Sequence, residues 1–151
     1  MTTLTPPTAP EDISVHAPKV GIARPALLTA ALAVAINASI FGLARLGGVD
    51  FAPADSTHRA TVTVAAVLAT TVIAMAIGWA LVAVTVRHRR PTLGTIAIIG
   101  GAFASLSTLV PLTLNLSVSA RLTLVSLHLI AGSLYVIGIA RLRRASAGET
   151  R

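Results

Sequence analysis

The chain has 151 residues, of which 54% are hydrophobic and only 11% charged, with a mean hydropathy of +0.83. A water-soluble domain carries about 25% charged residues, so this composition excludes an ordinary soluble domain, a disordered chain and a soluble nucleic-acid binder. The net charge of +7 has to be explained within an apolar protein, and the absence of cysteine removes disulfides, thiolate metal sites and cysteine nucleophiles from consideration.

Residues 1–24 hold Pro6, Pro7, Pro10 and Pro18 among threonines, with Glu11 and Asp12, and show no apolar period. They read as a disordered polar tail. Uncharged runs then follow at 25–44, 60–86, 91–120 and 122–140. A helix needs about 20 apolar residues to cross a hydrocarbon core, so each run is long enough to span. The expected spans are about 25–45, 60–86, 93–110 and 122–140 within a membrane domain 25–142, followed by a basic tail 143–151. Because Pro111 stands late in the third run among returning polar residues, residues 111–121 read as a connection or interfacial turn. The runs do not alternate polar and apolar residues as barrel strands do. The 24-residue leader is long for a signal peptide, so the first span is expected to be retained. The fold class is all-α, a bundle of four transmembrane helices.

Nine of the twelve basic residues (Lys19, Arg24, Arg87, Arg89, Arg90, Arg141, Arg143, Arg144 and Arg151) fall on one side of such a bundle; Arg45, Arg59 and Arg121 fall on the other. The positive-inside rule places both termini in the cytoplasm. The same clusters are expected to contact anionic headgroups, and with almost no aromatic residues between them they do not resemble a nucleic-acid surface.

Small residues recur at helical spacing: Ala26, Ala30, Ala33 and Ala44 with Asn37 in span one; Ala69, Ala76 and Ala83 in span two; Gly94, Gly101, Ser105 and Thr108 in span three; Ala131 and Gly132 beside His128 and Tyr135 in span four. Apolar burial does not drive association in lipid, so these stripes read as packing seams, with Ala33, Ala69, Ala76, Gly101 and Gly132 as their principal members. They point to a homo-oligomer or a membrane protein partner.

The spans contain no Asp, Glu, Lys or Arg, which argues against an exporter built around a membrane carboxylate. His128 lies about 10 Å and Asn37 about 12 Å below the outer surface at 1.5 Å per residue. With Ser105 and Thr70 or its neighbour Thr71 nearby in depth, they form a candidate intramembrane polar site, Thr70 being taken as its span-two member, read either as interhelical hydrogen bonding or as a ligand, proton or metal site. A bis-histidine haem lacks its second membrane-depth histidine, since His16, His58 and His88 lie at or beyond the ends. Asp50, Asp55 and His58 in the outer loop lack a fourth ligand and read as a solvated loop. The RRAS segment ending at Ser146 and the sequon at Asn115 are too generic to assign a role. No catalytic residue, cofactor or metal is expected.

The segments FGLARLGGVDF, GWALVAVTVRHRRP, STLVPLT and LHLIAGSLYVIGIARL, in that order, resemble a family of small actinobacterial four-helix membrane proteins classed as a domain of unknown function. The resemblance covers residues 24–142. It implies four spans in a bacterial plasma membrane and marks His128, Arg45 and Pro111 as family positions, without a catalytic role. The functional expectation is a structural or accessory membrane protein acting through helix packing. The alternative is a small transporter or channel subunit with a polar site around Asn37 and His128.

Overall fold

A backbone in hydrocarbon has to satisfy its own amides and carbonyls, and a continuous apolar run does so as a helix. The computed structural model describes residues 21–53, 61–87 and 93–148. It contains helices α1 (Ala23–Leu46), α2 (Val64–Arg87), α3 (Leu93–Ser107), α4 (Leu109–Thr113) and α5 (Val118–Gly148). Among the described residues, four stretches are long and apolar enough to cross a membrane, the third being Gly94–Thr113 across α3 and α4. The protein is an all-α bundle of the transmembrane kind. Most of the leader, the segment holding Asp55, His58 and Arg59, His88 with Arg89 and Arg90, and Arg151 lie outside the described residues.

Local chemistry sets the helix ends. At the end of α1, Gly47 N–H donates to Leu43 O, Val49 N–H donates to Ala44 O, and Gly48 turns the chain at φ 81°. That left-handed angle suits glycine alone without strain. The Thr63 hydroxyl caps α2 by accepting from Ala66 N–H at 3.2 Å.

Two boundaries differ from the sequence expectation. The third span continues through Pro111 to Thr113, with a break at Thr108 between α3 and α4. A proline ring displaces the carbonyl four residues earlier, here that of Ser107, the last residue of α3. Pro111 therefore interrupts the helix one turn before itself and does not end the span. The second difference is that α5 begins at Val118. Ser117 caps it, its hydroxyl accepting from Ala120 N–H and its carbonyl from Arg121 N–H. The connection shrinks to residues 114–117.

The packing centres on α5, which lies along both α1 and α3; α2 packs along α1 and touches α3 and α5 lightly. Buried side chains form two apolar clusters. Nearer the basic ends of α2 and α5 are Ala33, Met75, Trp79, Val82, Tyr135, Ile139 and Leu142. At the opposite end Phe41, Val67, Leu124 and Leu127 pack with Phe51, whose ring from the first loop plugs the bundle 4.4 Å from Phe41. Elsewhere the helices expose large side chains such as Leu27, Ile98 and Phe103, as a lipid-facing surface requires.

The closest approach is at Tyr135. Its ring stands where a Cβ on Gly78 of α2 or Gly100 of α3 would fall. Its hydroxyl donates to Gly78 O at 3.1 Å, and its ring meets Trp79 edge-on at 6.0 Å between centroids. Adding a methyl at Gly100 is therefore expected to cost about 1–3 kcal/mol by overpacking. Gly42→Ala, where nothing lies within 4 Å, is expected to gain up to ~1 kcal/mol of helix propensity. Unfolding in mild detergent measures both, and equal effects of the two substitutions would contradict the wedge.

Candidate functional site: a polar layer between two apolar clusters

Asn37 and Thr71 lie between the two apolar clusters, one helical turn from Ala33 and Phe41 on α1 and from Val67 and Met75 on α2. Asn37 is 2% exposed. Its Nδ2 donates to Thr71 Oγ1 at 3.0 Å, and the Thr71 hydroxyl spends its own proton on Val67 O at 2.8 Å. The pair joins α1 to α2 at membrane depth. Asn37 Oδ1 is left buried without a hydrogen-bond donor, a condition that costs roughly 1–3 kcal/mol.

His128 enters the same level by register. α2 and α5 run in the same direction, and Tyr135 meets Gly78. Seven residues earlier on each helix stand His128 and Thr71. The half-buried imidazole places Nδ1 2.8 Å from Leu124 O, four residues back. A carbonyl only accepts, so the Nδ1 contact is made with Nδ1 as the donor. Among the described residues, the hydrogen bonds of Asn37 and His128 do not join the two side chains.

The remaining expected members of the site lie elsewhere. Thr70 is exposed and folds its hydroxyl onto Ala66 O and Val67 O; its neighbour Thr71 takes the interhelical position. Ser105 is exposed, bonded to Gly101 O at 2.9 Å. It adjoins Ala104, which opposes Gly132, about one turn of α5 from His128. The layer thus consists of Asn37, Thr71 and His128.

Of the expected packing residues, Ala33 is buried in the inner cluster, and Gly132 lies so close to Ala104 that a Cβ would collide with its methyl. Gly101 faces Val136, 3.5 Å from where its own Cβ would stand. Ala69 and Ala76 are exposed. The buried face of α2 is Val67, Thr71, Met75, Trp79 and Val82. Positions two residues apart on a helix lie about 200° apart, which turns Ala69 away from Val67 and toward the lipid.

Three interior contacts escape sequence reading: the Tyr135 wedge, the Trp79 Nε1 donation to Thr29 Oγ1 at 3.1 Å, and the fit of Gly138 against the Trp79 ring. The lone tryptophan and the glycines at 78, 100 and 138 were the available signals, but only the pairing of helices shows which glycine meets which ring. Asp50 Oδ1 accepts from Ala52 N–H at 2.9 Å and so serves its own loop, while its expected neighbours Asp55 and His58 lie outside the described residues. Among the described residues no group of three His, Asp or Glu side chains converges as a metal site would require.

Residues 18–145 match a family of unknown function, DUF6069. No curated protein and no solved structure matches the chain.

Double-mutant cycles resolve the layer. Asn37→Ala and Thr71→Val are expected to couple by about 0.6–1.7 kcal/mol, the range for interhelical hydrogen bonds in membranes. Asn37→Ala and His128→Ala are expected to be additive. Unfolding of all variants in one mild detergent measures both, and additivity of the Asn37–Thr71 pair would remove the proposed bond.

Proposed function

The chain belongs to the DUF6069 family of unknown function, and we propose that it is a structural or accessory protein of a bacterial plasma membrane, acting through helix packing with a second copy or another membrane protein. The observation that carries this reading is the outward face of α2. Ala69, Ala76 and Ala80 are exposed there at helical spacing, flanking Ile73. In lipid, small residues let two backbones approach and gain van der Waals contact that large side chains prevent. On α2 the exposed Val72, Ile77 and Val84 border this stripe, and the outward faces of α1 and α3 carry Leu27, Leu28, Leu32, Ile98, Ile99 and Phe103.

The actinobacterial resemblance supports a bacterial source, and the basic residues support an orientation. Arg24, Arg87, Arg141, Arg143 and Arg144 gather at one end of the bundle, against Arg45 and Arg121 at the other. Both termini are then cytoplasmic by the positive-inside rule. Each basic residue near an anionic surface adds about 1 kcal/mol of attraction, so lipid headgroups, and not nucleic acid, are the partners of these clusters. The role proposed is non-enzymatic.

A second reading rests on the unsatisfied Asn37 Oδ1 at the level of His128. A small transporter or channel subunit would use Asn37 Oδ1 and the His128 imidazole to hold a proton or a hydrogen-bond donor in transit. Proteoliposome flux that is abolished by His128→Ala supports that reading, and flux indifferent to His128 removes it.

The natural chain has no cysteine, so single-cysteine variants report cleanly on the proposed assembly. In membranes, oxidation is expected to link Ala69→Cys and Ala76→Cys chains into dimers, because a two-fold axis along the membrane normal brings each residue to its own copy. Phe103→Cys on α3 is expected to remain monomeric, and Ala76→Phe to reduce dimer cross-linking at Ala69→Cys. Monomers throughout, with no cross-linked partner protein, would contradict the proposal.

A further inference from the structure

Between α3 and α5, on the side facing away from the bundle interior, runs an open groove of about 360 Å³. Gly101, Ala104 and Ser105 form one wall; Gly132, Ser133 and Val136 form most of the other. Followed along α5 at steps of three and four residues, the face that carries Ser133 and Val136 passes Ala140 and arrives at Arg143 and Arg144. On α3 the same steps lead from Gly101 through Ala97 or Ile98 to Gly94. The two ends meet. A Cβ on Gly94 would stand 3.4 Å from a guanidinium nitrogen of Arg143, so that glycine leaves room for the arginine head.

We propose that this groove binds an anionic phospholipid of the leaflet at the Arg143 end, with one acyl chain along the α3–α5 wall and its phosphate held by Arg143. Seven residues of helix separate Val136 from Arg143, about 10 Å of rise. That is the distance over which a lipid passes from phosphate through glycerol to the upper part of its chain. Charge complementarity selects this occupant over a second copy of the protein. Among the described residues the single carboxylate is Asp50, at the opposite end of the bundle. The described helices of another copy carry no carboxylate, so one of them would fill the groove without bringing an anion to Arg143. A phosphate accepts a bidentate guanidinium, and basic pockets between helices at the cytoplasmic side are suited to anionic headgroups. The site rests on the membrane reading above but not on self-association through α2, which cysteine cross-linking tests separately.

Native mass spectrometry of the full chain, released from micelles containing equal dioleoyl phosphatidylglycerol and dioleoyl phosphatidylcholine, tests the site. Phosphatidylglycerol is expected to be retained in preference to phosphatidylcholine. Arg143→Gln is expected to lower its retention about fivefold, the equivalent of about 1 kcal/mol. Ser133→Leu, which fills the groove from an exposed position, is expected to lower it at least as much, and Arg24→Gln, at the same end on α1, to leave it unchanged. Helix content by circular dichroism confirms the fold of each variant, with Ser105→Leu on the facing wall replacing Ser133→Leu if that variant unfolds. Equal retention of the two lipids, indifference to either groove substitution, or an equal loss in Arg24→Gln would overturn the proposal. So would Ser133→Leu dissolving a dimer while lipid retention stays intact, because the groove would then hold a second copy.

Discussion

The rest of the bundle depends on the fit of one tyrosine ring between two glycines. Lipid tails are as apolar as leucine, so burying leucine between helices gains little, and close packing and hydrogen bonds have to hold the bundle together. Tyr135 supplies both. Its ring occupies the space left by Gly78 of α2 and Gly100 of α3, and its hydroxyl reaches the Gly78 carbonyl. Since α2 and α3 touch each other only lightly, the ring is the principal tie between them. Trp79 extends the tie to α1 through Thr29, with its ring lodged against Gly138 of α5. Four helices thus converge around two aromatic side chains.

This wedge also fixes the relative heights of the helices, and with them the polar layer. Once Tyr135 is level with Gly78, His128 is level with Thr71, and Thr71 holds Asn37. The layer separates an apolar cluster around Trp79 from another around Phe51. A buried amide that bonds one specific threonine penalises any slip of α1 along α2, because a slip would leave its Nδ2 donor unpaired in hydrocarbon as well as its Oδ1. The unsatisfied Asn37 Oδ1 is the cost of that device, and it is also where the transporter reading finds its foothold.

The number of spans was legible in the sequence because the bilayer imposes a length, and uncharged runs of that length are unmistakable. The similar height of His128 and Asn37 along the bundle follows from the same regularity, since rise per residue converts position into height. Rotation about each helix axis was not legible. In a soluble protein a polar face marks the outside of a helix, but α2 is apolar all round, and nothing in its pattern separates Ala69 from Val67 or Thr70 from Thr71. Only the neighbouring helices make that choice. The start of α5 was obscured by a different cause. In sequence Ser117 reads as part of a polar connection after Pro111, whereas its hydroxyl caps the helix that follows. Pro111 itself breaks the helix at Thr108 and lets the span run on to Thr113.

The wedge has a direct spectroscopic signature. With the full chain in lipid nanodiscs and tyrosine and glycine selectively labelled, the ring protons of Tyr135 are expected to show nuclear Overhauser contacts to the α-protons of both Gly78 and Gly100. Contacts to lipid methylenes in their place, or to one glycine alone, would contradict a bundle closed by that ring.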